Sequence, residues 1–257
     1  MPVLAVLMVT QPVGLLIAIA VLPLFGADAL TTGEVILAFA GGAAAMAGLG
    51  AFYTAMAMGT MSVVAPIAAL GVIIPVGVGL ARGEEPGAVA FAGLAVAIAG
   101  VVVLSLEERS GDVDPVVARR SIVLALASAL GFGGFFTLLD VASADIDQPG
   151  GVIVAARAGG VMATLAAAAV VRPSLAAIPE RWRALVAIGF FDITANSLFA
   201  LASTMGLLPV VAVGGSMYPA FTIVLAHFVL GERLRAPQKA GVGLALAGVV
   251  MIAGGSA

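Results

Sequence analysis

The chain has no cysteine, a single histidine (His227), a single lysine (Lys239) and few charged residues of any kind. The missing cysteines exclude disulfides, thiolate catalysis and cysteine-based metal sites, and one histidine excludes a multi-histidine metal centre. Only 10% of the 257 residues are charged, whereas a soluble domain needs roughly a quarter to cover its surface. With 62% hydrophobic residues and a mean hydropathy of +1.22, the composition predicts an all-α integral membrane protein.

Long apolar runs supply the spans that this class of protein requires. A helix needs about 20 mostly apolar residues to cross a bilayer, and nine segments qualify. Polar breaks separate them, including Thr31 to Glu34, which resembles a capping box. The predicted spans are 3–25, 34–57, 62–81, 87–105, 120–141, 150–171, 183–204, 208–230 and 238–255.

The chain repeats part of itself. The segment that begins Gly93-Leu-Ala and the segment that begins Gly241-Val-Gly share six of eleven residues at an offset of 148. Upstream, Thr60-Met61 and Pro75 match Thr204-Met205 and Pro219 at an offset of 144. A duplicated set of apolar helices is typical of transporters that are built from two structural repeats.

The offset predicts the domain organisation. A first repeat of four helices covers 1–106, a cytoplasmic linker covers 107–119, and a second repeat of five helices covers 120–257. The span 120–141 has no counterpart in the first repeat, because that counterpart would lie before Met1. Two explanations stay open: the first helix was lost, or the start codon is assigned too late.

Basic residues predict the orientation, because cytoplasmic loops of membrane proteins are enriched in lysine and arginine. If successive loops alternate sides, one side has only Arg82 and the other side has nine basic residues. This places the N-terminus in the cytoplasm and the C-terminus outside. The nine residues are Arg109, Arg119, Arg120, Arg172, Arg181, Arg183, Arg233, Arg235 and Lys239.

Two copies of one pattern carry a family resemblance. Each copy has a proline-containing helix, then Gly-Glu, then an apolar helix that opens with glycine and is crossed by Ala-Gly. The copies are Pro75, Gly83-Glu84, Gly93, Gly100 and Pro219, Gly231-Glu232, Gly241, Gly248. With this pattern the chain resembles the EamA-like branch of the drug/metabolite transporter superfamily, and Arg157 looks like the arginine usual in the second helix of a unit.

The resemblance implies a bundle of two EamA-type repeats with inverted topology, here about nine transmembrane helices as four plus five. It implies a secondary transporter of a small metabolite, such as an amino acid or related solute, working by alternating access with protons as a coupling ion. The expected partners are a small-molecule solute and membrane lipid, without nucleic acid or cofactor. The expected location is the bacterial inner membrane, in an efflux or uptake role.

Charged and polar side chains inside the spans are the candidate site residues, because burying them in a membrane is costly. Arg157 lies about eight residues into its helix, roughly 12 Å deep. It either pairs with Asp140 as a structural staple or contacts an anionic solute or a carboxylate. Asp192, Asn196 and Ser203 share one helix face, which either lines a cavity or makes interhelical hydrogen bonds. Asp192 is the candidate for proton coupling.

Three further residues complete the predicted solute-binding set. Gln11 precedes Pro12, where the helix loses a backbone hydrogen bond; the alternative is a kink that faces lipid. Tyr53 and Tyr218 lie well inside their spans, and both either pack or contact solute.

The sequence leaves three alternatives to transport. A non-transporting membrane scaffold or subunit is compatible with the incomplete first repeat. A lipid-carrier flippase needs a cationic headgroup site, and Arg157 is the only arginine or lysine deep inside a predicted span, since Arg120, Arg183 and Lys239 lie at span ends. An enzyme is disfavoured because the sequence shows no nucleophile or metal constellation.

Overall fold

A computed structural model describes most of the chain. It places the residues 2–58, 64, 67–83, 85, 87–104, 115–144, 146–203, 205, 211 and 236–255. Within these residues the chain is helical, apart from turns and one isolated backbone bridge between Ala27 and Pro149.

The described part contains eight α-helices and a short 3-10 helix at Leu70–Val72. The α-helices are α1 (Val3–Phe25), α2 (Thr32–Met58), α3 (Ile73–Ala81), α4 (Ala88–Leu104), α5 (Pro115–Ser143), α6 (Gly150–Val171), α7 (Ile178–Ser203) and α8 (Ala236–Gly255).

Seven of the nine predicted spans correspond to single described α-helices, whereas the end of the span 62–81 is a 3-10 helix followed by α3. The spans 3–25 and 150–171 coincide with α1 and α6 at both ends. Two helices begin five residues earlier than predicted, α5 at Pro115 and α7 at Ile178. Proline suits the first turn of a helix, since that turn's N–H groups have no intrahelical partner. The span 208–230, which includes Tyr218, lies outside the described residues except for residue 211.

Helix ends follow local backbone chemistry. Gly26 ends α1 with φ 65°, and Gly83 follows α3 with φ 82°. Arg172 ends α6 in the left-handed conformation, with φ 48° and ψ 63°, and its N–H donates to the Ala168 carbonyl. A left-handed residue commonly closes a helix, and the following Pro173 cannot continue it.

The predicted capping box at the start of α2 is confirmed. The Thr31 N–H donates to Glu34 Oε2 at 2.6 Å, and the Glu34 N–H donates to Thr31 Oγ1 at 3.3 Å. Two N–H groups at the helix start thereby gain acceptors.

The helices are suited to lipid. Five of the described helices are long and apolar enough to cross a membrane, namely α1, α2, α5, α6 and α7. Large apolar side chains lie exposed on them, for example Leu16, Phe191 and Val170, with exposed fractions of 67%, 70% and 84%. Such faces are costly in water. The chain is therefore a multi-pass membrane protein.

The chain forms two compact units, and each takes segments from both halves of the sequence. Unit 1 comprises Met1–Gly50 and Gly134–Gly206, and unit 2 comprises Ala51–Gly133 and Leu207–Ala257. The repeat boundaries inferred from the sequence, 1–106 and 120–257 with the linker 107–119, stay a prediction.

In unit 1, α1 packs against both α6 and α7, and glycines let helices approach closely. A Cβ on Gly42 of α2 would overlap the Ala156 carbonyl of α6, and a Cβ on Gly159 of α6 would overlap the Phe39 carbonyl of α2. A Cβ on Gly189 of α7 would lie 2.9 Å from the Thr10 carbonyl of α1. Small residues at such crossings are typical of membrane helix packing.

Two loops of unit 1 meet at one end of the unit. The Ala27–Pro149 bridge joins them, and Asp28 Oδ2 accepts from the N–H groups of Asp147 at 3.0 Å and Gln148 at 2.9 Å. The sequence places both loops on the same membrane side, and this contact agrees with that alternation.

Replacing Asp28 should weaken this loop contact. We expect Asp28→Ala to lower the free energy of unfolding by about 1–2 kcal/mol, because two N–H groups lose an ionised acceptor. Asp28→Asn, which keeps one acceptor oxygen, should lose less. Asp147→Ala is the matched control, since Asp147 contributes its N–H and not its carboxylate. Unfolding in detergent micelles measures the difference, and equal losses for Asp28→Ala and Asp147→Ala would contradict the assignment.

In unit 2, α4 and α8 pack closely along each other. These helices carry the two copies of the Gly93 and Gly241 pattern, and all four shared glycines, Gly93, Gly100, Gly241 and Gly248, are buried. A Cβ on Gly248 would lie 2.5 Å from the Ala97 backbone nitrogen. The recurring residue Gly248 therefore lies where α8 approaches α4 closely.

Candidate functional site

Arg157 is buried in the middle of unit 1. It lies seven residues into α6, roughly 10 Å from the helix start, and its side chain is 8% exposed. Gly14 of α1 lies beside it, and a Cβ there would be in ordinary contact, 3.5 Å from Nη1 and 3.7 Å from Cζ. Arg157 is the only charged residue of α6.

The guanidinium joins three helices. Nη1 of Arg157 donates to Asp192 Oδ2 of α7 at 2.5 Å, which is an ion pair, and to Gln11 Oε1 of α1 at 3.2 Å. Gln11 is 3% exposed, whereas the Asp192 side chain is 36% exposed. Asp192 is therefore the member of the pair that is accessible from outside the protein interior.

Asn196 fixes the Asp192 carboxylate from within the same helix. Its Nδ2 donates to the Asp192 carbonyl at 2.9 Å and to Asp192 Oδ1 at 3.3 Å. One carboxylate oxygen thus faces Arg157, while the other receives the amide. The four residues Gln11, Arg157, Asp192 and Asn196 are called the polar cluster below.

One donor of the polar cluster is unsatisfied. Arg157 Nη2 is buried and has no hydrogen-bond partner among the residues that the structure describes. A buried donor without an acceptor costs roughly 1–3 kcal/mol, and more when it is charged. The arrangement therefore favours any state in which Nη2 gains an acceptor.

The structure brings together four of the six predicted site residues. Gln11 packs as a buried partner of Arg157, and α1 continues as one helix through Pro12. Tyr53 is half-buried in α2, in the part that belongs to unit 2. Tyr218 and the Ser203 side chain lie outside the described residues.

Arg157 has the kind of partner that the sequence proposed, a carboxylate, although the pair shown is with Asp192. The pairing with Asp140, which is buried in α5, stays a prediction. Gly14 was not singled out from the sequence. Its signal is its spacing, three residues after Gln11 and therefore on the same face of α1.

The polar cluster offers groups that can pair with a polar solute or take up a proton. No group of three or more histidine, aspartate or glutamate side chains lies close enough to hold a metal ion in the described part. The chemistry available at the cluster is ion pairing, hydrogen bonding and protonation of one carboxylate.

Apolar helices long enough to cross a membrane, with an ion pair between two of them, define a multi-pass membrane protein. The comparisons with known proteins name the family. The model of the EamA-like transporter family matches residues 119–254, which is more than half of the chain, and the chain belongs to that family. The resemblance inferred from the sequence is confirmed.

A solved structure shares the fold. A protein of known crystal structure superposes with a TM-score of 0.77 at 16% identity, covering 98% of this chain and 89% of its own. At that identity the likeness shows the fold alone. No curated protein matches the chain in sequence.

Family membership gives the coarse function. The chain is a membrane transporter of the drug/metabolite type, so its partners are a small-molecule solute and membrane lipid. The family is generally non-enzymatic.

Proposed function

We propose that the chain is a secondary active transporter that moves a small metabolite, such as an amino acid or related solute, by alternating access with protons as the coupling ion. The polar cluster is its solute and proton site. The protein acts in the bacterial inner membrane, with its N-terminus in the cytoplasm and its C-terminus outside, in efflux or uptake. Tyr53 and Tyr218 stay predicted solute contacts.

The observation that carries this proposal is the ion pair between Arg157 and Asp192. A charged side chain at mid-membrane costs a few kcal/mol at the least, and intramembrane ionisable groups therefore mark transport paths and proton relays. In a pair with a purely structural role we expect both side chains to be buried, yet the Asp192 side chain is 36% exposed. An accessible carboxylate beside a buried guanidinium is suited to binding and release.

The close helix crossings of unit 1 support the same proposal. Gly42, Gly159 and Gly189 let backbones pack with little side-chain interlocking. Helices that meet through smooth surfaces can shift against each other, and alternating access requires such movement. The three helices that carry the polar cluster, α1, α6 and α7, are among those with these crossings.

Replacing Asp192 with asparagine tests the coupling role. We expect uptake driven by a pH gradient to fall at least tenfold in proteoliposomes, because asparagine accepts from Arg157 but takes up no proton. A panel of radiolabelled L-amino acids serves as the probe, with the loop variant Asp147→Asn as the matched control. Gradient-driven flux equal to wild type would remove Asp192 as the coupling group.

The same assay separates transport from a scaffold role. A transporter gives wild-type flux that exceeds protein-free vesicles for at least one solute. Wild-type protein that is folded in the vesicles but moves none of the panel, with or without a gradient, would contradict the proposed function.

A further inference from the structure

We propose that the solute carries a carboxylate, and that this carboxylate replaces Asp192 on Arg157 while Asp192 takes up one proton. Binding of one solute carboxylate is thereby tied to the uptake of one proton. This inference rests on the proposed function, because it assigns the substrate class and the coupling step of the same polar cluster.

The donor geometry points to a carboxylate. An arginine guanidinium presents parallel N–H donors that match the two oxygens of a carboxylate. Here Nη1 carries both contacts, to Asp192 and Gln11, and Nη2 has no partner within the described residues. Asp192 therefore accepts from only one of the two terminal nitrogens of the guanidinium. A solute carboxylate that accepts from both Nη1 and Nη2 gains a hydrogen bond that Asp192 lacks.

Exposure sets the order of events. Arg157 is buried, with its side chain 8% exposed, whereas Asp192 is 36% exposed. A proton therefore reaches Asp192 before a solute reaches the guanidinium. Once it is neutral, Asp192 loses most of its attraction for Arg157, and its departure opens the guanidinium to the solute. Asn196, which donates to the Asp192 carbonyl and carboxylate, holds the side chain on its own helix after it leaves.

Charge balance fixes the stoichiometry. The ion pair has no net charge, and a second carboxylate added without a proton would leave one negative charge in an apolar interior, which is costly. With one proton on Asp192, the sum over guanidinium, solute carboxylate and neutral Asp192 is zero again. The proton remains on Asp192 until the solute leaves and the ion pair re-forms.

The charged groups around Asp192 leave Arg157 as its described counter-ion. Helix α1 carries no titratable side chain, and α6 carries only Arg157. The other charged residues of α7 lie at its start, nine or more residues and so about 13 Å before Asp192. Elsewhere in unit 1, Glu34 of α2 is engaged in the capping box, and Asp140 of α5 is buried with a partner of its own. The α7 residues are Glu180, Arg181 and Arg183.

Matched carboxylates and amides test the substrate class. The probes are L-alanine, L-leucine and L-phenylalanine against their carboxamides, and propionate against propionamide. We expect carboxylates to raise the unfolding temperature of the purified full-length protein, and the amides to have no such effect. Arg157→Gln should abolish the stabilisation, because it removes the guanidinium and its parallel N–H donors. Equal stabilisation by acid and amide, or stabilisation that survives in Arg157→Gln, would overturn the proposal.

Proton counting tests the coupling step. Where Asp192 is ionised in the solute-free protein, calorimetry in two buffers of different ionisation enthalpy should give one proton taken up per carboxylate bound, with a dissociation constant that rises about tenfold per pH unit. In Asp192→Asn, binding should persist with no proton uptake and no such slope, while Asp147→Asn should behave as wild type. If Asp192→Asn does not fold, Asp192→Glu replaces it and should keep the one-proton uptake. A wild-type uptake of zero, or a proton uptake that persists in Asp192→Asn, would overturn the step.

The two proposals fail in different ways. Carboxylate binding with proton uptake but no flux in vesicles would end the transport proposal and leave this inference standing. If a pH gradient drives flux of a solute that has no carboxylate, and the acids do not bind, the carboxylate inference ends and the transport proposal stands.

Discussion

Arg157→Met is expected to destabilise unit 1 by about 3 kcal/mol, because removing one partner of a buried ion pair leaves the other charge uncompensated. Methionine keeps an unbranched stem of similar length, so the loss reports the guanidinium more than the packing. Asp192 would lose its ion-pair partner and Gln11 Oε1 its donor. Because the Asp192 side chain is 36% exposed, solvent softens the penalty, and the expected loss lies at the lower end of the roughly 3–5 kcal/mol range for such pairs.

A double replacement tests whether the two charged side chains act as a pair. Arg157→Met combined with Asp192→Leu removes both charges and should recover most of the loss, since an apolar pair often replaces a buried ion pair at little cost. The coupling energy from the double-mutant cycle should lie between about 1 and 3 kcal/mol. Unfolding by titration with denaturing detergent measures all four proteins. Additive losses in the double variant would show that the two side chains do not act as a pair.

Gly42→Ala and Gly159→Ala should each cost about 1–3 kcal/mol, the range for added methyl groups in close-packed cores. The new Cβ of either variant would overlap a carbonyl of the facing helix, Ala156 for Gly42 and Phe39 for Gly159. A carbonyl belongs to the helix backbone and cannot rotate away as a side chain does. The two helices must therefore separate, and that disturbs α6 within one turn of Arg157.

Gly50→Ala is the matched control on the same helix. Nothing lies within 4 Å of a Cβ built there, and glycine costs a helix interior roughly 0.5–1 kcal/mol relative to alanine. We therefore expect Gly50→Ala to be neutral or stabilising, with the opposite sign to Gly42→Ala. Thermal unfolding in one detergent compares the three variants. Stabilisation by all three would mean that helix propensity, and not the crossing, decides the result, and a clear loss for Gly50→Ala would contradict the use of open space as the criterion.

Much of the fold follows from the sequence because lipid imposes simple rules. Span length and apolar content gave both ends of α1 and α6, and the Thr31 to Glu34 pattern gave the cap of α2. The early starts of α5 and α7 do not follow from span length, because Pro115 and Pro179 fit a loop as well as the first turn of a helix. The 3-10 helix at Leu70–Val72 was also missed, since its apolar residues do not differ from those of an α-helix.

The site residues were more predictable than their partners. Scarcity of charge pointed to Arg157 and Asp192, because few polar groups lie inside apolar spans. Sequence neighbourhood suggested Asp140 for Arg157, whereas the ion pair shown reaches Asp192, 35 residues away along the chain. That choice depends on α1 packing against both α6 and α7, with Gly189 of α7 close to the Thr10 carbonyl of α1. Helix neighbours of this kind are set by three-dimensional packing, which one sequence does not reveal.

The bridge between Ala27 and Pro149 has a practical consequence for observing the molecule at work. It fastens the end of α1 to the beginning of α6, so the two helices share one anchor point and a reporter on that turn follows both. The chain contains no thiol of its own, and Ala29 is exposed beside the anchor. A single cysteine introduced there would take a spin label or fluorophore without background, and changes in its mobility or emission would report the two helices together.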